Sequence, residues 1–98
     1  MSKVQILLNP NRFEFFTSSE AKKPTLRAML QFEQTTPFYV NDMVGEEAAE
    51  EAFDLTNNPS REDERMRVYG RGQSVSVGDV VLVDDDVYLC MSCGWEKL

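Results

Sequence analysis

Cys90 and Cys93 stand at the CxxC spacing by which two thiols grip a zinc ion or cycle as a redox pair. Zinc takes four ligands, and the 98-residue chain offers two cysteines and no histidine. A closed site would need aspartate ligands or two more cysteines from a second copy. A redox pair gains its low thiol pKa from the start of a helix, whereas this pair follows a strand pattern, Val87 to Cys90. The simpler reading packs one thiol inside a hairpin and leaves the other in a turn. Neither a metal nor any other cofactor is expected.

The absence of histidine also removes Ser-His and Cys-His nucleophilic pairs and imidazole acid–base catalysis. Carboxylate chemistry stays open. Glu46 and Glu50, and likewise Glu47 and Glu51, are spaced to share one helix face, where paired carboxylates can hold a hard cation or move a proton. No second element supplies partners, so a solvated helix face accounts for them better. Asp79 invites a catalytic role, but it follows Gly78 in a tight bend, which explains it without chemistry. The chain is expected not to be an enzyme.

Arg61, Arg65, Arg67, Tyr69 and Arg71 form a basic, aromatic segment that could touch a phosphate or stack on a base. Glu62, Asp63 and Glu64 interleave and cancel much of that field, which favours a charged linker with internal ion pairs. Trp95 suits either a cap over the C-terminal hairpin or an interface anchor.

The net charge is −7 and unevenly placed. Met1 to Asn41 carries five basic residues against three acidic; Asp42 to Leu98 carries five against fourteen. The acid lies in Asp42, Glu46, Glu47, Glu50, Glu51 and Asp54, with no basic residue among them, and in Asp84-Asp85-Asp86. Such a surface repels nucleic acid phosphates and suits a basic protein partner. No apolar run approaches the length of a membrane span, and the N-terminus lacks a signal-peptide layout. A soluble, cytoplasmic protein is expected, with no membrane partner; the sequence leaves the oligomeric state open.

The elements that must position these groups fit one domain over 1–98, with N-terminal strands over 1–40, an acidic helix and charged linker over 41–67, and a hairpin module over 70–98. Val4, Ile6 and Leu8 alternate as in a half-buried strand. Asn9-Pro10-Asn11 supplies a turn, and Phe13 and Phe15 suggest a returning strand before a polar loop from Thr17 to Pro24. Leu26, Ala28, Leu30 and Phe32 fit the strand period better than the helical one. Asn41 or Asp42 can cap a helix whose Val44, Ala48, Ala52 and Leu55 face the core beside Phe53. Asn57-Asn58-Pro59 ends it, and Pro59 suits a short helical turn through Arg61-Glu62-Asp63-Glu64. Val75 and Val77 alternate with Ser74 and Ser76, then Val80 to Val83 and Val87 to Cys90 flank the aspartate turn. Gly94 permits a further bend. The predicted fold is α+β: an antiparallel sheet of about four to six strands, one principal amphipathic helix and a C-terminal β-hairpin.

The string Arg71-Gly72-Gln73-Ser74-Val75-Ser76-Val77-Gly78-Asp79-Val80-Val81, with Tyr88-Leu89-Cys90 and Gly94-Trp95 after it, resembles a pattern found in YodL-like domains. Related small proteins of plasmids, phages and other mobile elements share that pattern, and Phe53, Thr56 and Asn57 match the helix end that precedes it there. Gln73-Ser74-Val75 departs from the usual Ser and Leu. The likeness covers the C-terminal half and implies a mobile-element setting without transferable catalytic residues. Together with the charge split it suggests a non-enzymatic accessory protein that contacts a basic host protein, as an anti-defence inhibitor would. The surface would comprise Asp42, Glu46, Glu47, Glu50, Glu51, Asp84, Asp85, Asp86 and Trp95. The alternative is a nucleic-acid-binding regulator using Arg61 to Arg71.

Overall fold

The alternation of Val4, Ile6 and Leu8 is realised in strand β1 (Ser2–Leu8), where all three side chains are buried on one face of a sheet. The computed structural model describes residues 1–10, 29–91 and 94–98. After β1 come β2 (Glu33–Gln34), β3 (Phe38–Val40), helix α1 (Gly45–Asn57) and a 3-10 turn (Pro59–Arg61). Helix α2 (Glu62–Val68) and strands β4 (Val80–Val83), β5 (Asp86–Met91) and β6 (Gly94–Lys97) complete the described fold. All described strand pairings are antiparallel, in the order β2-β1-β4-β5-β6, with β3 also on β1. The N-terminal strand and the C-terminal hairpin therefore share one sheet, of six strands among the described residues, joined where Val4 to Leu7 pair with Val83 to Val80.

The far side of β1 is shared. Val4 faces Phe38 and Leu7 faces Gln34, so Thr35, Thr36 and Pro37 stand opposite only Gln5 and Ile6. That extra residue is a bulge, and it accommodates a proline that could not donate to a ladder. Thr35 bridges it, its backbone N–H and Oγ1 both donating to the Ile6 carbonyl at 3.2 and 2.7 Å.

Helix α1 lies on the face of the sheet that carries Val4, Ile6, Val81, Val83, Tyr88 and Cys90. Ala48, Ala49 and Ala52 are wholly buried there, and their short side chains let the helix approach closely while Leu55 fills the end of the interface. The opposite face carries a second apolar cluster, Leu7, Phe32, Val80 and Leu89.

Several local expectations change. Neither Asn41 nor Asp42 caps α1: the residue preceding the helix is Val44, extended and 72% exposed, so it also leaves the predicted core stripe. The reason is backbone geometry, since Asp42, ahead of the helix, and Gly45, its first residue, both have positive φ, 61° and 58°, and turn the chain at its start. A Cβ at position 45 would come within 2.9 Å of the Tyr88 hydroxyl. Met29 to Phe32 is not a strand. The Phe32 N–H closes on the Met29 carbonyl in a turn that buries Phe32 and exposes Leu30. The helical turn after Pro59 is present and continues into α2, so the charged linker is mostly helix. The expected strand at Phe13 and Phe15, the loop from Thr17 to Pro24, Leu26 to Ala28 and Cys93 lie outside the described residues.

The bend at Gly78-Asp79 is a tight turn merged with a bulge. The Asp79 N–H reaches back to the Ser76 carbonyl, the Gly78 N–H donates to the Cys90 carbonyl, and the Cys90 N–H donates to the Asp79 carbonyl. Two residues thus face Cys90, and the first has φ 95°, a left-handed value that favours glycine.

Candidate functional site

The residues singled out by their chemistry divide into those that lock the fold and those that remain at the surface. Asp79 is fully buried, with Oδ1 accepting from the Asn9 N–H and Oδ2 from the Ser76 N–H, each at 2.8 Å. One carboxylate thereby fixes the chain leaving β1 to the turn entering β4. Thr56 and Asn57 act similarly at the end of α1. Thr56 Oγ1 accepts from the Val75 N–H at 3.1 Å, and Asn57 Nδ2 donates to the Val75 carbonyl at 3.0 Å. The pair imitates a strand partner for Val75. This is why the Ser74–Val77 alternation buries Val75 without forming a ladder strand.

Cys90 is also scaffold. Its side chain is 3% exposed, and burial, with the nearby charges of Asp79 and Glu50, pushes its thiol up to about 12. Among the described residues no group of three or more acidic or cysteine side chains is arranged to hold a metal. A thiol held so high is a poor nucleophile and a poor ligand at neutral pH. In a Cys93→Ser background, Cys90 is expected to react with a disulfide reagent at pH 8 at least about 100-fold more slowly when folded than in urea. Equal rates would show that the site opens readily.

The basic segment is largely consumed internally. Arg61 bonds Glu51 through both terminal nitrogens, at 2.7 and 2.9 Å, and also binds Asp54 at 2.8 Å and Glu64 at 2.9 Å. Its pKa is raised further by those bonds, Glu51 first, and Glu64 is lowered by its bond from Arg61. Arg65 donates to the carbonyls of Leu55 and Asn58, closing the C-terminal end of α1 at 3.0 and 2.9 Å. Arg71 pairs with Glu33 at 3.1 Å and donates to Gln73. Tyr69, the aromatic residue of the alternative nucleic-acid reading, is 2% exposed and belongs to the core cluster that includes the buried face of α1. Arg67 is exposed. The expected internal ion pairs are thus present, and they occupy the guanidinium groups of Arg61 and Arg71.

The acidic residues separate by role. Asp84 Oδ1 accepts from the Lys3 N–H, and the Asp84 N–H donates to the Lys3 carbonyl, both at 2.9 Å, so this aspartate ties the β4–β5 turn to β1. Asp86 begins β5 and pairs with Lys97 at 3.5 Å, while Asp85 is exposed at the turn. Glu51, expected in water, is half-buried against Arg61. Glu46, Glu47 and Glu50 are exposed on α1, and Asp42 is exposed just before it. Glu50 accepts a 2.8 Å bond from Trp95 Nε1, and the Trp95 ring meets Phe53 edge to face, centroids 6.5 Å apart.

Glu50 is consequently a shared wall. A cleft of about 170 Å³ is lined by Glu50, Phe53, Cys90, Met91, Gly94 and Trp95. A broader one of about 330 Å³ is lined by Met43, Glu47, Glu50, Glu51 and Asp54. Carboxylates and half-buried apolar side chains thus meet along one side of α1. In the sequence Glu50 and Trp95 are separate candidates; their contact joins residues 45 positions apart that no local pattern relates. Among the described residues no helix is long and apolar enough to cross a membrane. No family model, curated protein or solved structure matches the chain.

Proposed function

We propose that this chain is a non-enzymatic, cytoplasmic accessory protein that works by contact with a basic protein surface, presented through the solvent face of α1. The observation that carries the proposal is the state of Glu46, Glu47 and Glu50. All three are exposed, and none forms an ion pair among the described residues, while the neighbouring Glu51 and Asp54 are satisfied by Arg61. Uncompensated like charge on one helix face opposes compaction slightly and favours encounter with a cation-rich surface. Trp95 and Phe53 beside Glu50 add the desolvated aromatic area from which interfaces draw affinity. The resemblance of the C-terminal half to small mobile-element proteins supports such a setting, in which an acidic protein would block a host factor that grips DNA.

Reversal of Glu46 and Glu47 to lysine, with Glu50→Gln, tests this without touching the Arg61 cluster. The unaltered protein, immobilised, is expected to retain basic proteins from a bacterial lysate at about 0.05 M salt and release them at about 0.5 M. The triple variant, shown folded by circular dichroism, is expected to retain less than a tenth as much. Equal retention by both proteins would refute the acidic-face reading.

A further inference from the structure

We propose that the outer edge of β6 receives an extended, basic segment of the partner as an added strand, with its side chains against the acidic side of α1. This rests on the acidic-face reading and specifies how the contact is made. The Leu98 N–H donates to the Val87 carbonyl, so that residue pair is hydrogen-bonded across β5 and β6. By the alternation of antiparallel ladders, Glu96 with Leu89 and Gly94 with Met91 are bonded too. The backbone N–H and C=O groups of Trp95 and Lys97 then point away from β5. No described strand pairs with that side.

The two ends of the sheet differ as templates. Beyond β1, the pairing is broken into pieces of two and three residues by the Thr35–Pro37 bulge, and bulges and prolines blunt an edge. β6 is continuous over four residues and contains no proline. Its lysine, the usual guard of an exposed edge, is paired with Asp86 on β5.

Charge selects the occupant. Trp95 and Lys97 lie opposite Cys90 and Tyr88, which face α1. Alternate side chains of an added strand would therefore point to the same side, toward Glu50, Glu46 one helical turn away, and the cleft of about 170 Å³ between Trp95 and Phe53. A second copy of this chain would bring another −7 to the same edge. A segment alternating lysine or arginine with β-branched residues instead gains backbone bonds from β6 and charge pairing from α1.

A ten-residue peptide alternating lysine and valine serves as probe, titrated into the full chain labelled with nitrogen-15. At saturation, amide exchange of Trp95 and Lys97 is expected to slow at least about ten-fold, while Gly94 and Glu96 change little. Lys97→Pro removes an outward N–H and no inward ladder bond, and is expected to abolish binding. Should that variant not fold, two N-methylated peptides decide instead. Methylation on the residues whose amides face β6 is expected to weaken binding at least about ten-fold, and methylation on the intervening residues to leave it intact. Absence of binding, or binding with Trp95 and Lys97 unprotected and both methylated peptides equal, would overturn strand addition. If lysate capture still depended on Glu46, Glu47 and Glu50, the contact reading would stand without it.

Discussion

Asp79→Ala is expected to lower folding stability by about 3 kcal/mol, visible as a urea midpoint shift with unchanged slope. The carboxylate is fully buried and accepts two backbone N–H bonds at 2.8 Å from segments far apart in the chain, Asn9 and Ser76. Each bond to a charged acceptor contributes about 1.5–3 kcal/mol, and losing both together leaves two donors needing new partners. Because a domain of this size holds about 5–15 kcal/mol in all, the melting temperature should fall by more than about 10 °C. Asp79→Asn is expected to be nearly as damaging: its amide offers one acceptor oxygen and points an NH2 group at the other N–H. A loss below about 1 kcal/mol for alanine would show that the latch does not carry the junction between β1 and β4.

The latch explains why the Val-Gly-Asp-Val-Val string is structurally expressive. Val77 and Gly78 make the turn, Gly78 supplies the positive φ, Asp79 binds both neighbours, and Val80 and Val81 enter the sheet on opposite faces. Thr56 and Asn57 serve folding in the same way, since they hold Val75.

The strands were legible because alternation in β1, and the β-branched run of β4 against Val87 to Cys90, encode burial within a few residues. The helix was legible from its alanines, and its end from Asn57-Asn58-Pro59. Its start was not, because the deciding quantity is the backbone of Asp42 and Gly45 rather than capping preference. Met29 to Phe32 misled because period two can arise in a turn as well as in a strand. Tyr69 was hidden by its setting: α2 is charged on nearly all sides, and only the tertiary fold places the following tyrosine in the core cluster with α1. Of the candidate surface, Glu46, Glu47 and Glu50 were readable as a helical stripe. The withdrawal of Glu51 into an ion cluster, and of Asp84 into a bond with Lys3, depends on contacts across ten residues and more.

The ion cluster leads to the second large effect. Arg61→Ala is expected to cost about 2 kcal/mol, between the small value of an exposed pair and the larger one of a buried network. The guanidinium is 19% exposed and serves Glu51, Asp54 and Glu64, so its removal leaves three carboxylates facing one another as well as three broken contacts. Arg67→Ala, on an exposed position of the same short helix, should change stability by less than about 0.5 kcal/mol. The pH dependence checks the cause. Glu64 is held below its usual value of 4.5 by Arg61; a depressed acid contributes stability that is present above that value and lost as pH falls through the folded one. The gap between the unaltered protein and Arg61→Ala should therefore be widest near neutrality and narrow below about pH 4.5. A gap that stayed constant into acid would assign the loss to packing of the arginine stem. The same variant bears on function, since it frees Glu51 and Asp54 beside Glu47 and Glu50. If the acidic face binds cations as proposed, the folded Arg61→Ala protein should hold a basic partner more tightly at low salt while being less stable, whereas an arginine that contacted nucleic acid would lose affinity and stability together.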